Sequence, residues 1–286
     1  MGLQRTHDVH EEEVHDHDRG LSFDMSTLMS RRRALQLLAV GGLVTLVGCG
    51  SSSSDSPGAS AGTTTAGTTA ATTGAPIETT AEIPQETGGP YPADGSNGIN
   101  VLTESGIVRS DLTSSFGSSS GTAAGVPLSI ELTILDVSTG GTPLEGAAVY
   151  LWHCDREGRY SLYDAAIADQ NYLRGAQASD AAGRVTFASV FPGAYAGRWP
   201  HIHFEVYPTL AEATAAGGKL VTSQIALPAE ACTQAYATAG YEQSGQNLAQ
   251  TSLATDNVFS DGYSTQLGTV SGSATEGMTV RLNVGV

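Results

Sequence analysis

The sequence is poor in positive charge. It has 13 lysine and arginine residues against 29 aspartate and glutamate residues, for a net charge of −16. Proteins that bind nucleic acid need a basic surface to neutralise phosphates, so this composition excludes nucleic acid as a partner. The acidic excess instead favours solubility.

The sequence also lacks an apolar run long enough to span a membrane. Its one extended apolar stretch follows Arg31-Arg32-Arg33 and ends at Val47, about 15 residues against the roughly 20 that a spanning helix needs. Such a stretch after consecutive arginines is typical of a twin-arginine export signal. Leu46-Val47-Gly48-Cys49 resembles a lipoprotein cleavage site and predicts acylation of Cys49, hence an extracytoplasmic protein anchored to the membrane by lipid. A short uncleaved anchor is the alternative.

Composition divides the chain into three parts. Residues 1–48 comprise an N-terminal extension and the predicted signal; the extension holds a histidine-rich acidic tract that either binds metal weakly or belongs to a long leader. Residues 49–80 are rich in Ser, Thr, Gly and Ala, which predicts a flexible tether. Residues 81–286 are long enough for one domain with a good core, and we expect them to carry the catalytic function.

Long helical periodicity is missing from this last part. Apolar residues instead alternate with polar ones, as at Leu128, Ile130 and Leu132, and glycine-containing turns separate the segments. The predicted strands are Val126–Val137, Ala147–Cys154, Val185–Val190, His201–Tyr207, Leu220–Ile225 and Met278–Val284, and the best helix candidate is Pro228–Tyr241. Short strands with this turn spacing predict an all-β domain, a β-sandwich with long loops and few short helices.

One predicted strand carries the pair His201-Ile202-His203. Side chains at i and i+2 of a strand project from the same face, so both imidazoles can reach one metal ion. The alternative is a hydrogen-bonded or solvent-facing pair on an ordinary strand.

Further motifs surround the histidine pair. They are Trp152-His153-Cys154-Asp155 with Gly158 and Tyr160, Asp180–Phe187 with Gly183, Pro192-Gly193-Ala194-Tyr195, and Arg198-Trp199-Pro200 before His201. In order and spacing they resemble the motifs of the intradiol ring-cleavage dioxygenases, enzymes that split catechols between the hydroxyl-bearing carbons. The resemblance covers roughly residues 83–286 and is greatest to the secreted bacterial branch.

The resemblance implies the intradiol dioxygenase type of β-sandwich and a non-haem iron(III) cofactor. By this resemblance the metal ligands are Tyr160, Tyr195, His201 and His203. Iron accepts imidazole nitrogen, and its trivalent form prefers anionic oxygen donors such as phenolates.

The resemblance also implies a reaction. A catechol-type substrate is cleaved with O2 to a muconate-type diacid through activation of the substrate, and Tyr195 leaves the metal to act as a base. Arg198 stabilises negative charge on the ring, and Gln224 lies near the substrate. Tyr91, in a Gly-Pro-Tyr segment, and Trp199, which departs from the common family pattern, are expected to shape the pocket. Catechol, protocatechuate, hydroxyquinol and plant-derived catechols stay open as substrates, because pocket loops set that choice.

Two cysteines follow Cys49 in the sequence. In an oxidising compartment Cys154 and Cys232 are first expected to form a disulfide; a buried free thiol and, for Cys154, metal ligation are the alternatives. The competing function is a non-catalytic extracytoplasmic lipoprotein that binds aromatic or carbohydrate ligands. Such a protein would not need both the four ligands and Arg198.

Overall fold

The computed structural model describes residues 81–215 and 217–286. The predicted export signal, the acylation site at Cys49, the histidine-rich tract and the tether lie outside the described residues. Within the described ranges, no helix is both long and apolar enough to cross a membrane.

The described part of the chain is built mainly from nine strands in two sheets. In chain order they are β1 (Pro127–Asp136), β2 (Thr142–Pro143), β3 (Ala148–Trp152), β4 (Arg174–Ala178), β5 (Arg184–Val190), β6 (His201–Tyr207), β7 (Val221–Ala226), β8 (Thr269–Ser273) and β9 (Gly277–Gly285). Three short α-helices accompany them: α1 (Leu210–Thr214), α2 (Ala229–Tyr236) and α3 (Glu242–Leu248). The all-β prediction is confirmed.

The first sheet is organised around β1. This strand pairs antiparallel with β5, parallel with β9 and, at its end, antiparallel with β2, while β8 pairs with β9. Its apolar residues alternate with polar ones, so Leu128, Ile130, Leu132 and Ile134 are buried on one face. These side chains form the main hydrophobic core together with those of the second sheet.

The second sheet has the antiparallel order β4-β3-β6-β7. Ile202, Phe204 and Val206 of β6 join the main core, so the alternate residues of that strand point to the opposite, outer face. The outer face is buried as well, because residues 93–107 and the loop after β3 pack over it. This covered outer face carries the histidine pair.

An ion-pair cluster holds the covering segment against the sheet. The Glu205 carboxylate is fully buried on the outer face of β6. The ammonium of Lys219, the single lysine of the sequence, contacts Glu205 and lies 2.8 Å from the carboxylate of Asp94 in the covering segment. The Tyr207 hydroxyl donates a further hydrogen bond of 2.7 Å to Glu205.

The structure differs from the sequence prediction in one helix and in three strands, β2, β4 and β8, that were not predicted. The helix expected over residues 228–241 is interrupted: α2 ends at Tyr236 and α3 begins at Glu242, with Gly240 between them at φ +93°. Strand β4 was not predicted, because its sequence Arg-Gly-Ala-Gln-Ala lacks β-branched and aromatic residues. It forms because all five of its residues pair with β3.

Candidate functional site

Strand β6 presents both histidines on the covered outer face, where each is 2% exposed. His203 pairs in register with Trp152 of β3 and Gln224 of β7, and residues directly opposite in antiparallel strands share a face. The Trp152 indole stacks on the His203 imidazole, with ring centroids 5.0 Å apart and planes inclined by 4°. This contact orients the His203 ring.

Tyr160 is positioned by a tight turn after β3. One carboxylate oxygen of Asp155 accepts hydrogen bonds from two backbone N–H groups of the turn, and the other accepts from the Arg159 guanidinium at 2.7 and 2.9 Å. Gly158 has φ +83°, and a Cβ there would lie 3.3 Å from Cβ of Tyr195, so the turn favours glycine. The turn leaves Tyr160 4% exposed, with its hydroxyl beside that of Tyr195.

Tyr195 lies in the loop between β5 and β6. The Gly193 N–H donates a 2.9 Å hydrogen bond to the Asp155 carbonyl, which ties this loop to the Tyr160 turn. A Cβ at Gly193 would lie 2.5 Å from the Arg156 carbonyl oxygen, so only glycine permits this approach. Tyr195 is partly exposed, whereas Tyr160 is buried.

Two phenol oxygens and two imidazole nitrogens meet where β6 faces these two loops. Tyr160 Oη lies 3.4 Å from Tyr195 Oη, which lies 3.1 Å from His201 Nε2. His201 Nε2 in turn lies 3.1 Å from His203 Nε2. The structure thus brings all four predicted ligand side chains together. In residues 81–215 and 217–286, this site included, no group of three or more His, Cys, Asp or Glu is arranged to hold a metal, so the candidate ligand set depends on its two tyrosines.

Both imidazoles are neutral. His201 Nδ1 lies 2.5 Å from the Trp199 carbonyl, which can only accept, so Nδ1 carries the proton and Nε2 keeps its lone pair. Burial and the nearby Arg198 lower the pKa of His201 well below its usual value. Burial, followed by the neighbouring His201, does the same to the pKa of His203. Neutral imidazole is the form that binds metals.

The two phenols are held by burial in their protonated state unless a cation is present. Burial raises the pKa of Tyr160 well above its usual value and that of Tyr195 to about 12. A bound metal ion reverses this effect, because its charge favours the phenolate. Two phenol oxygens and two imidazole nitrogens that face one another fit an iron(III) ion.

Arg198 borders this cluster and is 4% exposed. Its Nη1 lies 3.4 Å from His201 Nε2, and its Nη2 donates a 2.6 Å hydrogen bond to Oε1 of Gln224. Its Nε donates to the Asp256 carboxylate at 2.9 Å. Burial opposes the charge, but Tyr195 and Asp256 together raise the pKa of Arg198 above its usual value. A permanent positive charge therefore lies next to the four ligand candidates.

Sequence reasoning missed Asp256. It lies 58 residues from Arg198 in a loop with no recognisable motif, so the sequence carries no signal for the contact. The sequence reasoning also assigned no role to Trp152, although Trp152 is the first residue of the motif Trp152-His153-Cys154-Asp155. Only the strand register reveals that Trp152 lies beside His203.

The two predicted pocket residues have different positions. Tyr91 is 38% exposed, and its ring centroid lies 5.2 Å from that of Tyr160 and 5.0 Å from that of Tyr163, so it forms an aromatic rim beside the cluster. The prediction that Trp199 shapes the pocket is corrected. Its indole packs in a separate cluster with Phe259 and donates to the Leu227 carbonyl at 2.8 Å. Only its backbone carbonyl contacts the site, through His201.

The disulfide prediction is wrong, because both cysteines are free and buried. Cys154 belongs to the cluster on the covered outer face, and its thiol donates to the Gly193 carbonyl at 3.4 Å. Cys232, on α2, belongs to the main core between the sheets. Each thiol contacts a backbone carbonyl, Cys154 that of Gly193 and Cys232 that of Leu227, and the two sulfurs are not bonded to each other.

We expect both thiols to react with iodoacetamide after denaturation without reductant. In the native protein they should react slowly, since each is buried and burial raises the pKa of both thiols. Peptide mass spectrometry would count the modified cysteines. A linked peptide containing Cys154 and Cys232 would contradict the structure.

The fold and the site together define an all-β protein with a buried cluster of two tyrosines, two histidines and an arginine. A family model described as a dioxygenase matches residues 105–211. A chlorocatechol 1,2-dioxygenase from Rhodococcus opacus is 39% identical over 57 residues, which cover 20% of this chain and 22% of that relative. The match thus spans about a fifth of the curated relative.

A solved structure extends the similarity to most of the described residues. An intradiol ring-cleavage dioxygenase from Tetranychus urticae is 25% identical with a TM-score of 0.52, covering 64% of this chain and 87% of its own. Taken together, the comparisons show that the chain is similar to intradiol ring-cleavage dioxygenases in sequence and in fold.

Proposed function

We propose that this protein cleaves a catechol-type ring with O2 to give a muconate-type diacid, using non-haem iron(III). The observation that carries the proposal is the convergence of Tyr160, Tyr195, His201 and His203 at spacings of 3.1–3.4 Å. Arg198 beside them adds a positive charge where an anionic substrate would bind. A module that only binds a ligand would not need this combination.

Iron(III), when bound, would supply activation of the catechol ring toward O2. Its ligands would be the Tyr160 and Tyr195 hydroxyl oxygens and the Nε2 atoms of both histidines. His201 is held in the required tautomer by the Trp199 carbonyl. The two imidazoles are neutral. The two phenols carry negative charge only when a cation is bound beside them.

The two tyrosines have different tasks in this proposal. Tyr160 is buried within a rigid turn and keeps its position. Tyr195 is partly exposed, so its oxygen, ionised to the phenolate when the metal ion is bound, could turn away and take up a proton from an arriving catechol hydroxyl. Arg198, whose Nη1 faces the cluster, then offsets negative charge that develops on the substrate ring.

We further propose that the protein acts outside the cytoplasm, attached to the membrane by lipid at Cys49. The support is the arginine-led apolar stretch and the sequence Leu46-Val47-Gly48-Cys49. Twin-arginine export carries folded proteins, so iron can be inserted before export.

Oxygen uptake with a panel of catechols tests the reaction. We expect the iron-loaded protein to consume one O2 per substrate for at least one panel member, at a rate on the order of 1 s⁻¹ or faster. Mass spectrometry of the product should show both oxygen atoms of ¹⁸O2. The pure protein should be reddish from tyrosinate–iron(III) charge transfer. A full iron complement without cleavage across the panel would favour a binding module.

A further inference from the structure

Asp256 is a fully buried carboxylate whose two oxygens serve different purposes. Oδ1 accepts the backbone N–H groups of Val258 at 2.8 Å and Phe259 at 3.2 Å, which closes its own turn. Oδ2 accepts Arg198 Nε at 2.9 Å and the Trp199 backbone N–H at 2.7 Å. One side chain therefore links a remote loop to the segment that enters β6.

Asp256 and Gln224 each bind one nitrogen of the Arg198 guanidinium, and the third nitrogen faces the metal-ligand cluster. Nε is held by Asp256 and Nη2 by Gln224, so Nη1 is directed toward His201. A planar guanidinium held at two edges cannot rotate without breaking one of these hydrogen bonds.

The same carboxylate also reaches a predicted ligand. It binds the backbone N–H of Trp199, and the carbonyl of that residue accepts Nδ1 of His201. Stability alone explains this buried ion pair poorly, because desolvation of two charges offsets most of their attraction.

We propose that Asp256 is a positioning residue of the ring-cleavage site, setting the orientation of the Arg198 guanidinium. The proposal rests on the proposed dioxygenase function. It assigns Asp256 no contact with substrate; the carboxylate acts through Arg198.

Asp256→Asn tests this selectively. The asparagine oxygen can still accept the backbone N–H groups of the turn. Its NH2 group would then face Arg198 Nε and the Trp199 N–H, which are also donors, so these two hydrogen bonds would be lost. We expect kcat to fall about 10- to 100-fold, as for a small misplacement of a catalytic group, while the dissociation constant of catechol changes less than about threefold. Unchanged kcat would overturn the proposal.

A double mutant separates positioning from general damage. If Asp256 acts through Arg198, adding Asp256→Asn to Arg198→Ala should lower kcat less than about twofold further. An equal fold loss in both backgrounds would overturn the proposal.

The chain offers a matched control in Asp180. Its Oδ1 also accepts two backbone N–H groups of its own turn, and its Oδ2 also pairs with an arginine, Arg184, on the far sheet. Asp180→Asn should leave kcat unchanged.

Two further measurements keep the test decisive. Hydrogen exchange of Arg198 Nε–H, followed by NMR, should be slow in the wild type and fast in Asp256→Asn; equal rates would overturn the proposal even if no catechol were cleaved. Failure of wild-type cleavage would count separately, against the proposed function. If Asp256→Asn does not fold, Arg198→Lys keeps the charge without the planar fork, and wild-type kcat in that variant would overturn the role of orientation.

Discussion

Replacing His203 with alanine is expected to remove most of the bound iron and the visible absorption. His203 is buried, its Nε2 lies 3.1 Å from that of His201, and its ring is oriented by the stacked Trp152 indole. Loss of a group that merely supports a ligand weakens metal binding about 10- to 100-fold, so loss of a ligand should cost at least that much. Iron content by mass spectrometry and the visible spectrum would measure the effect. Tyr160→Phe should likewise lose most of the bound iron and the visible absorption.

His153→Ala is the matched control. His153 is likewise a buried histidine, but its ring nitrogens lie 2.7 Å from the Cys154 carbonyl and 2.7 Å from the Ser189 hydroxyl, within the protein framework. Its loss should lower the melting temperature and leave the iron content unchanged. Wild-type iron content in His203→Ala, or iron loss in His153→Ala alone, would refute the assignment of His203 as a ligand.

Replacing Arg198 with alanine is expected to lower kcat much more than it weakens catechol binding. Interactions that strengthen only in the transition state act on kcat. A buried charge contact of this kind contributes about 2–4 kcal/mol, or about 10²–10³ in rate. The iron and its colour should remain, because Arg198 is not among the four ligands. Stopped-flow absorption would give catechol binding, and oxygen uptake would give kcat.

The structure adds a stability effect to this result. Arg198→Ala leaves the buried Asp256 carboxylate without its ion-pair partner, which typically costs about 3–5 kcal/mol. Kinetics should therefore be measured well below the lowered melting temperature. Arg184→Ala, which removes an exposed arginine from its pair with Asp180, is the control and should change neither kcat nor colour. Equal ring-cleavage rates in Arg198→Ala and the wild type would remove Arg198 from the mechanism.

Local patterns in the sequence were sufficient for the main architecture. The strand predicted at His201–Tyr207 has the same bounds as β6, because alternation of polar and apolar residues is a property of neighbours in the chain. The motif order also brought out Tyr160, Tyr195 and Arg198 as site candidates, and the structure brings them together around the histidine pair. Their roles as ligands and as a catalytic group stay predictions for the experiments above.

Predictions based on single residues failed where the surrounding packing decides which partner a side chain contacts. Cysteine counting suggested a disulfide, but Cys154 and Cys232 are free thiols buried in different hydrophobic clusters. Trp199 adjoins the site in sequence, yet its indole turns into a separate cluster and donates to Leu227. The position of a residue in the chain does not specify which neighbour its side chain contacts.

The sequence by itself determined the all-β fold, the single face that carries both histidines, and the family motifs, since each depends on spacing along a few dozen residues. Only the tertiary structure decided that Asp256 holds Arg198, that Trp152 stacks on His203, and that β4 is a strand. These features join segments that are distant in sequence, through burial and hydrogen bonds that exist only once the two sheets and their covering loops have packed.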